Sequence, residues 1–426
     1  MVDLMKPPFR NDYHLPEHGI DSHTVSERVQ AFAAKDPESR NARMAIYSMK
    51  GSDAAQKVLL DAHGRVFHKN NLTVAMLPGM LEMEQELLSM AANLLSGGSD
   101  DTVANFTSGG TESIFCGIHA ARQWARETKP HISAPEIVAP YSAHATLDKA
   151  GHYLDVKIVR VPVGADFRAD IERIKAAIGP NTIGLYASAP NWPYGTYDRV
   201  REFGAVALEQ DLWLHVDACV GGFMAPFARD LGYPIPDWDF SVPGVRSISA
   251  DLHKYAYAMK PASVIAWRDA SLQKYHYVSI SNWPTMAYSA EGFVGSRSAG
   301  PVAAAWAVMH FLGRDGYRDY TARTMANKKA LSDGISAIEG LEVIDNDLCI
   351  LCYVSTDATL PISTVLGAMN QRGWVHFGTM EPPMIQLILD PLEEGLIDAY
   401  LADLTDVVAQ IRSGHSFDAG EMTYAR

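Results

Sequence analysis

An α/β fold with a largely parallel sheet is what this sequence predicts, on three observations. Strand-like and helix-like segments alternate between residues 136 and 267, the pattern of strands joined by crossover helices. A glycine turn, Ser108-Gly109-Gly110-Thr111, stands directly before a helical stretch. Two apolar, strand-like runs end in chemistry-bearing residues. Leu214-His215-Val216-Asp217-Ala218 ends in an acid, and Ser247-Ile248-Ser249-Ala250-Asp251-Leu252-His253-Lys254-Tyr255 ends in a lysine.

Residues 1–55 read as an N-terminal arm, polar and proline-bearing, with a helix over 24–34. His14, His18 and His23 lie close together there; a solvated or subunit-contact segment accounts for them better than a metal site. Over 79–95, Met80, Met83, Leu87, Met90, Ala91 and Leu94 recur at three- and four-residue steps, which predicts a helix with methionine as core filler. A second helix follows the glycine turn to about residue 126. Strands are expected at 136–139, 156–161, 182–188, 212–217, 245–249 and 263–267, with helices at 170–178 and 199–209. Helices over 301–312 and 317–338 lead out of this unit. Strands near 341–344, 349–354 and 384–389 and helices over 362–372 and 396–411 then form a smaller C-terminal α/β domain. The expected division is 1–55, 56–314 and 315–426.

A chain of 426 residues with 47% hydrophobic and 20% charged residues can bury a large core, so global disorder is not expected. Its net charge of −14 argues against nucleic-acid binding as the main task. Four scattered cysteines make no disulfide scaffold and fit a reducing cytoplasm. Cys349-Ile350-Leu351-Cys352 has CxxC spacing, but it lacks a second ligand pair and sits in an apolar run, which reads as buried structural cysteine. The N-terminal residues have no apolar signal segment, and no apolar run is long enough to span a bilayer. A soluble cytoplasmic protein is the expectation.

The glycine turn would bring backbone N–H groups close to an anion at a helix N-terminus. Taken alone, Ser108 or Thr111 as an ordinary helix cap explains it equally well. Asp217, at the end of a parallel strand, lies where α/β folds place ligands, although a turn-forming acid before Gly221-Gly222 would look the same. Lys254 in a less polar site would lose its proton more easily and become a nucleophile for Schiff-base chemistry; the bland alternative is a surface lysine. His253 could donate to a phosphate, and His144, in Tyr141-Ser142-Ala143-His144-Ala145-Thr146, could stack on a ring; each could equally be a structural histidine. An acid, a lysine and a glycine turn in this order point to pyridoxal 5'-phosphate (PLP), with Asp217 keeping the pyridine nitrogen protonated.

Residues Ser108 to Ser113, His144, Asp217 to Phe223 and Ser247 to Tyr255 resemble the PLP-dependent group II decarboxylase superfamily, of the aspartate-aminotransferase type (fold type I). Within it the chain is most similar to sphingosine-1-phosphate lyases, on TSGGTESI, LHVDACVGGF and SISADLHKYAYAMK, and on LPGMLEMEQELLSMAANLLSGG, WPYGTYD, GSR and GWVHF…PPMIQL across roughly residues 65–415. The resemblance implies that Gly110 and Thr111 hold the PLP phosphate with His253, with Ser108 and Gly109 also in the cofactor-binding turn. It implies that His144 stacks on the ring, Asp217 pairs with its nitrogen and Lys254 anchors it covalently. Gly295, Ser296 and Arg297 would come from a neighbouring subunit, making a homodimer with shared sites, and Lys260 and Tyr288 would lie near the substrate. The helical anchor of eukaryotic members is lacking, which implies a soluble bacterial-type member.

The substrate half departs from that pattern. The family's Asn-Pro-Leu-His reads Asn70-Asn71-Leu72-Thr73, so Thr73 replaces a histidine associated with the substrate phosphate. Pro-His-Gly reads Pro193-Tyr194-Gly195, Glu291 adds an acid, and Arg297 is followed by Ser298-Ala299. The implied reaction is retro-aldol cleavage of a (phosphorylated) 2-amino alcohol to an aldehyde and an amine. The alternatives are amino-acid decarboxylation and, less fittingly, a non-catalytic homologue.

Overall fold

The computed structural model describes residues 14–35, 49–284, 287–374, 376–391 and 395–418, without the side chains of Thr73 and Val74. Seven strands form the large sheet: β1 (Val103–Thr107), β2 (Glu136–Pro140), β3 (Lys157–Val161), β4 (Thr182–Ser188), β5 (Trp213–Asp217), β6 (Val245–Ala250) and β7 (Ser263–Trp267). Their order is β1-β7-β6-β5-β4-β2-β3. Strands β2 to β6 run parallel, while β7 is antiparallel to β6 and β1 antiparallel to β7. Every residue of β4, β5 and β7 is buried. That is why they read as apolar runs without a polar face: helices cover both sides of the sheet.

The parallel crossovers are made by α5 (Thr146–Leu154), α6 (Ile171–Ala177), α7 (Val200–Glu209) and α8 (Ala225–Asp230). Before them come α1 (Ser22–Ala33), α2 (Asp53–Val66), α3 (Pro78–Leu95) and α4 (Gly110–Thr128), and after them α9 (Ala270–Gln273) and a hairpin of β8 (Val278–Ile280) and β9 (Tyr288–Ala290). Helix α1 buries no residue, whereas α2 packs along α10 (Gly300–Ser336). Helices α2 and α5, strand β1 and the β8–β9 hairpin were not anticipated from the sequence. The two helices expected at 301–312 and 317–338 are both present within α10, which is two helices meeting at Gly313, whose non-helical φ of +54° a glycine adopts without strain.

The second sheet, β10-β11-β13-β12, is antiparallel and consists of β10 (Leu341–Val343), β11 (Ile350–Ser355), β12 (Phe377–Met380) and β13 (Pro383–Ile388). With α11 (Ile362–Gln371) and α12 (Leu396–Arg412) it encloses its own core of Leu351, Tyr353, Val365, Leu366 and Leu404. Cys349, Ile350, Cys352 and Met384 belong instead to the core of the large sheet, so the other face of β11 joins the two units. Both cysteines are buried free thiols.

Topology positions the site. Parallel strands β5 and β6 are neighbours with Asp217 opposite Ser249. Their C-terminal ends therefore deliver Asp217 and the run from Asp251 to Lys254 to the same edge of the sheet, where α/β folds bind ligands.

Candidate active site

Strand β1 ends at Thr107 and α4 begins at Gly110, so the glycine turn is the strand-to-helix connection. A buried chain of hydroxyls fixes it: Thr107 Oγ1 lies 2.6 Å from Ser113 Oγ, Ser113 Oγ lies 2.8 Å from Ser263 Oγ, and Ser263 Oγ donates to the Ala250 carbonyl at 3.0 Å. Gly110 has no room for a side chain. A Cβ there would lie 2.7 Å from Cys219 Sγ and 2.9 Å from Asp251 Oδ2. Beside it, the first-turn N–H groups of α4 have no partner within their own helix and are available to an anion. Glu112 closes this turn from below. Its Oε2 accepts the Ser108 N–H at 2.7 Å and its Oε1 the Phe293 N–H at 3.0 Å, tying the turn to the loop after β9.

Asp217 is buried, and burial by itself would raise its pKa. The pKa is nevertheless below the ordinary carboxylate value, because Cys219, His144 and Tyr186 stabilise the anion. The Cys219 N–H donates to Oδ1 at 3.0 Å, the Tyr186 hydroxyl to Oδ2 at 2.7 Å, and Ser249 Oγ to Oδ1 at 3.3 Å. Behind this carboxylate, buried His215 bridges Ser247 Oγ (2.9 Å) and Ser249 Oγ (3.3 Å), and burial lowers its pKa to about 4. His144 sits between β2 and α5 and accepts the Thr146 N–H on Nδ1 at 3.1 Å, so in the neutral ring the proton is on Nε2. Burial, chiefly, lowers its pKa and keeps it neutral.

Lys254 differs from the sequence expectation. Burial does favour its neutral form, but Asp251 Oδ2 lies 2.9 Å from Nζ, and its carboxylate, with a smaller contribution from that of Asp217, raises the lysine pKa above its ordinary value. His253 Nδ1 accepts the Ala262 N–H at 3.3 Å, leaving Nε2 3.6 Å from Asp251 Oδ2. Ser108, Gly109, Gly110, Thr111, His144, Asp217, Asp251, His253, Lys254 and Lys260 line one cavity of about 640 Å³, within the ordinary range for small-molecule sites.

The expected substrate residues divide. Gly295, Ser296, Arg297 and Glu291 line a second cavity of about 630 Å³, which shares Ser108, Glu112, Lys260 and Val294 with the first. Asn70 Nδ2 donates to Ser296 Oγ at 3.0 Å, Asn70 Oδ1 accepts the Arg297 N–H at 3.2 Å, and the Asn71 N–H donates to the Arg297 carbonyl at 2.8 Å. The two segments that depart from the family pattern thus bond to each other. Arg297 Nη2 pairs with buried Glu84 at 2.7 Å, and Glu291 Oε2 accepts from Asn105 Nδ2 at 3.0 Å. The side chain of Thr73 lies outside the described residues.

Tyr194 lines neither cavity: in the turn from Asn191 to Thr196 its hydroxyl donates to the Glu381 carbonyl at 2.7 Å and its ring packs on Phe167, while Pro190 and Trp192 line the first cavity. Tyr288, expected beside the loop that a neighbouring subunit would contribute, does not join the other site residues within one chain. It stands on β9, edge-on to Trp283, and lines neither cavity. Sequence reasoning missed Asp251, Tyr186, Glu112 and Glu84. Asp251 alone carried a signal, an acid three residues before the lysine at a strand end.

These groups fit PLP: an anion cup closed by Gly110, a buried carboxylate held ionised, a neutral imidazole and a lysine in one cavity of adequate volume. Comparisons with known proteins agree. The pyridoxal-dependent decarboxylase conserved domain matches residues 36–354. The sphingosine-1-phosphate lyase of Oryza sativa subsp. japonica is 35% identical over 409 residues, 94% of this chain and 75% of that protein. A probable L-tyrosine/L-aspartate decarboxylase of Methanothermobacter thermautotrophicus is 32% identical over 77% of this chain and 88% of its own length. The structure of sphingosine-1-phosphate lyase from Burkholderia pseudomallei superposes with a TM-score of 0.90 at 33% identity, covering 94% of this chain and 93% of that one. The chain therefore belongs to the pyridoxal-dependent decarboxylase family and is a PLP-dependent lyase of the aspartate-aminotransferase fold type.

Proposed function

We propose that this enzyme cleaves the Cα–Cβ bond of a 2-amino alcohol, phosphorylated or not, releasing an aldehyde and an amine, and that it does so as a cytoplasmic homodimer with shared active sites. The observation that carries this reading is the common wall of the two cavities. The cofactor residues and the Asn70-Asn71 contact with Ser296-Arg297 meet across Ser108, Glu112, Lys260 and Val294. Its similarity to proteins named sphingosine-1-phosphate lyases supports it.

When bound, PLP supplies an electron sink for the pair released as the bond to the amine-bearing carbon breaks. The chain's own residues do the rest. The cup of Ser108, Gly109, Gly110 and Thr111, with His253, holds the phosphate, and Lys254 is the covalent anchor. Asp217, kept ionised by its donors, holds a proton on the ring nitrogen. His144 presents a neutral ring face. Lys260, at the exposed rim shared by both cavities, meets the polar head of the substrate; partial burial and the Lys254 charge lower its pKa. Arg297 is held on Glu84 at the far wall. Phe293 and Val294 in the first cavity and Leu72 in the second are exposed in a single chain, and a second copy would cover them. Among the described residues no helix is long and apolar enough to cross a membrane.

Decarboxylation of an amino acid is the second reading, favoured by Thr73 in the place of the family's histidine. Incubating the PLP-loaded protein with a long-chain 2-amino-1,3-diol, its 1-phosphate, and a panel of aromatic and acidic amino acids separates the two. Aldehyde release from either amino alcohol is the expected result. CO₂ release from an amino acid with no aldehyde from either amino alcohol overturns it in favour of decarboxylation.

A further inference from the structure

Asp251 is the group that the mechanism above leaves without a task. It stands one residue beyond β6 and is 3% exposed. One oxygen, Oδ2, lies 2.9 Å from Lys254 Nζ, while Oδ1 is buried with no hydrogen-bond partner. Both oxygens lie within 3.0 Å of where a Cβ on Gly110 would sit. A buried acid so placed is not a solvated strand end. Left ionised and unpaired it would be strongly destabilising, so the ammonium of Lys254 is its natural counter-ion.

We propose that Asp251 is a positioning residue that keeps the Lys254 amine protonated whenever that amine is free, and so makes Lys254 the acid rather than the base of the reaction. The inference rests on the reading of Lys254 as the covalent anchor of PLP. The protons balance. A substrate enters as an ammonium, and on exchanging places with Lys254 it leaves Nζ as an ammonium beside Asp251. After the Cα–Cβ bond breaks, Nζ gives one proton to the product carbon. The lysine is then a neutral amine, able to displace the product amine, which takes a proton from water on leaving. The proton of the substrate hydroxyl goes to water rather than to Lys254, and it matches the one the product amine takes on leaving.

The other charged and titratable groups around Nζ do not replace Asp251. Asp217 and Cys219 approach from the end of β5, His144 from the loop after β2, His253 and Lys260 from the segment after β6, and Cys349 from just before β11. Asp217 is occupied by Tyr186, Cys219 and Ser249. Burial raises the Cys219 and Cys349 thiols and lowers His144 and His253, so these four are neutral near pH 7, and Lys260 carries the same charge as Lys254.

The test reads the titration of Lys254 directly, without turnover. The full chain, free of cofactor, is pulse-labelled with acetic anhydride from acid to alkaline pH, and mass spectrometry follows each lysine peptide. In the wild type the midpoint of Lys254 should lie above those of exposed lysines such as Lys57. In Asp251→Asn, near pH 8, the labelling rate relative to those lysines should rise by about tenfold or more, because the neutral fraction grows tenfold per pKa unit. A wild-type midpoint at or below that of exposed lysines overturns the proposal even if the variant does not fold, and so does an unchanged midpoint in a folded variant. Borohydride trapping of PLP on the wild-type protein checks the underlying reading separately. If pyridoxyl appears on Lys254 but its titration ignores Asp251, this proposal alone falls. If pyridoxyl appears elsewhere, the anchor assignment falls, and the proposal with it.

Discussion

Replacing Tyr186 by phenylalanine removes one oxygen and leaves the ring in place. That oxygen donates to Asp217 Oδ2 at 2.7 Å, with Tyr186 fully buried and Asp217 nearly so. A hydrogen bond to a charged group is worth about 1.5–3 kcal/mol, and here no water replaces it. Tyr186→Phe should therefore lower unfolding stability by about 1.5–3 kcal/mol near neutral pH, where Asp217 is ionised. The Asp217 pKa should move upward, since one of the donors that hold it down has gone. A carboxylate with a lowered folded pKa contributes stability above its unfolded pKa that is lost as pH falls through the folded value. The difference between variant and wild type should thus shrink on acidification. Urea unfolding at several pH values measures this, and equilibrium PLP binding should weaken in parallel if Asp217 holds the ring proton as proposed. A loss below about 0.5 kcal/mol with unchanged PLP affinity would refute the idea that Tyr186 holds Asp217 in its charged form.

Two further outcomes are expected. His215 is buried and its pKa falls to about 4, below its ordinary value near 6.5, so the unfolded chain binds more protons between those values and stability must fall as pH drops through that window. From about pH 7 to about pH 5 the cost attributable to His215 is about 2 kcal/mol, and urea unfolding of His215→Gln should show a flatter acid slope by that amount. Gly110→Ala puts a Cβ 2.7 Å from Cys219 Sγ and 2.9 Å from Asp251 Oδ2, an overpacking that should cost about 1–3 kcal/mol of stability. The displaced cup should also shed PLP on gel filtration, read as loss of visible absorbance, while wild-type protein keeps it.

The cofactor half of the site was legible because parallel topology makes it so. Residues that close successive strands emerge on one edge of the sheet, so Asp217 and Lys254 become neighbours through strand pairing. The glycine turn was legible for a local reason, since a strand-to-helix connection is read from adjacent residues. What stayed hidden was contact between distant segments. Tyr186 meets Asp217 across 31 positions, Glu112 meets Phe293 across 181, and Arg297 meets Glu84 across 213. No periodicity announces such pairs. The contacts of Tyr194 were not legible because motif position says where a residue lies along the chain but not which way its turn faces; here Asn191 accepts the Tyr194 N–H and the hydroxyl reaches the Glu381 carbonyl. Lys254 was found for a partly wrong reason. It is buried, but the anionic surroundings, with Asp251 at 2.9 Å in the same run foremost, together outweigh the burial.

The central claim is that Lys254 is the residue to which PLP is bound. Reduction of the PLP-loaded protein with borohydride, followed by proteolysis and mass spectrometry, tests it most directly. A single pyridoxyl addition is expected on the peptide carrying Lys254, absent in Lys254→Ala. A pyridoxyl group on another lysine, Lys260 foremost, or an undiminished adduct in Lys254→Ala, would contradict it.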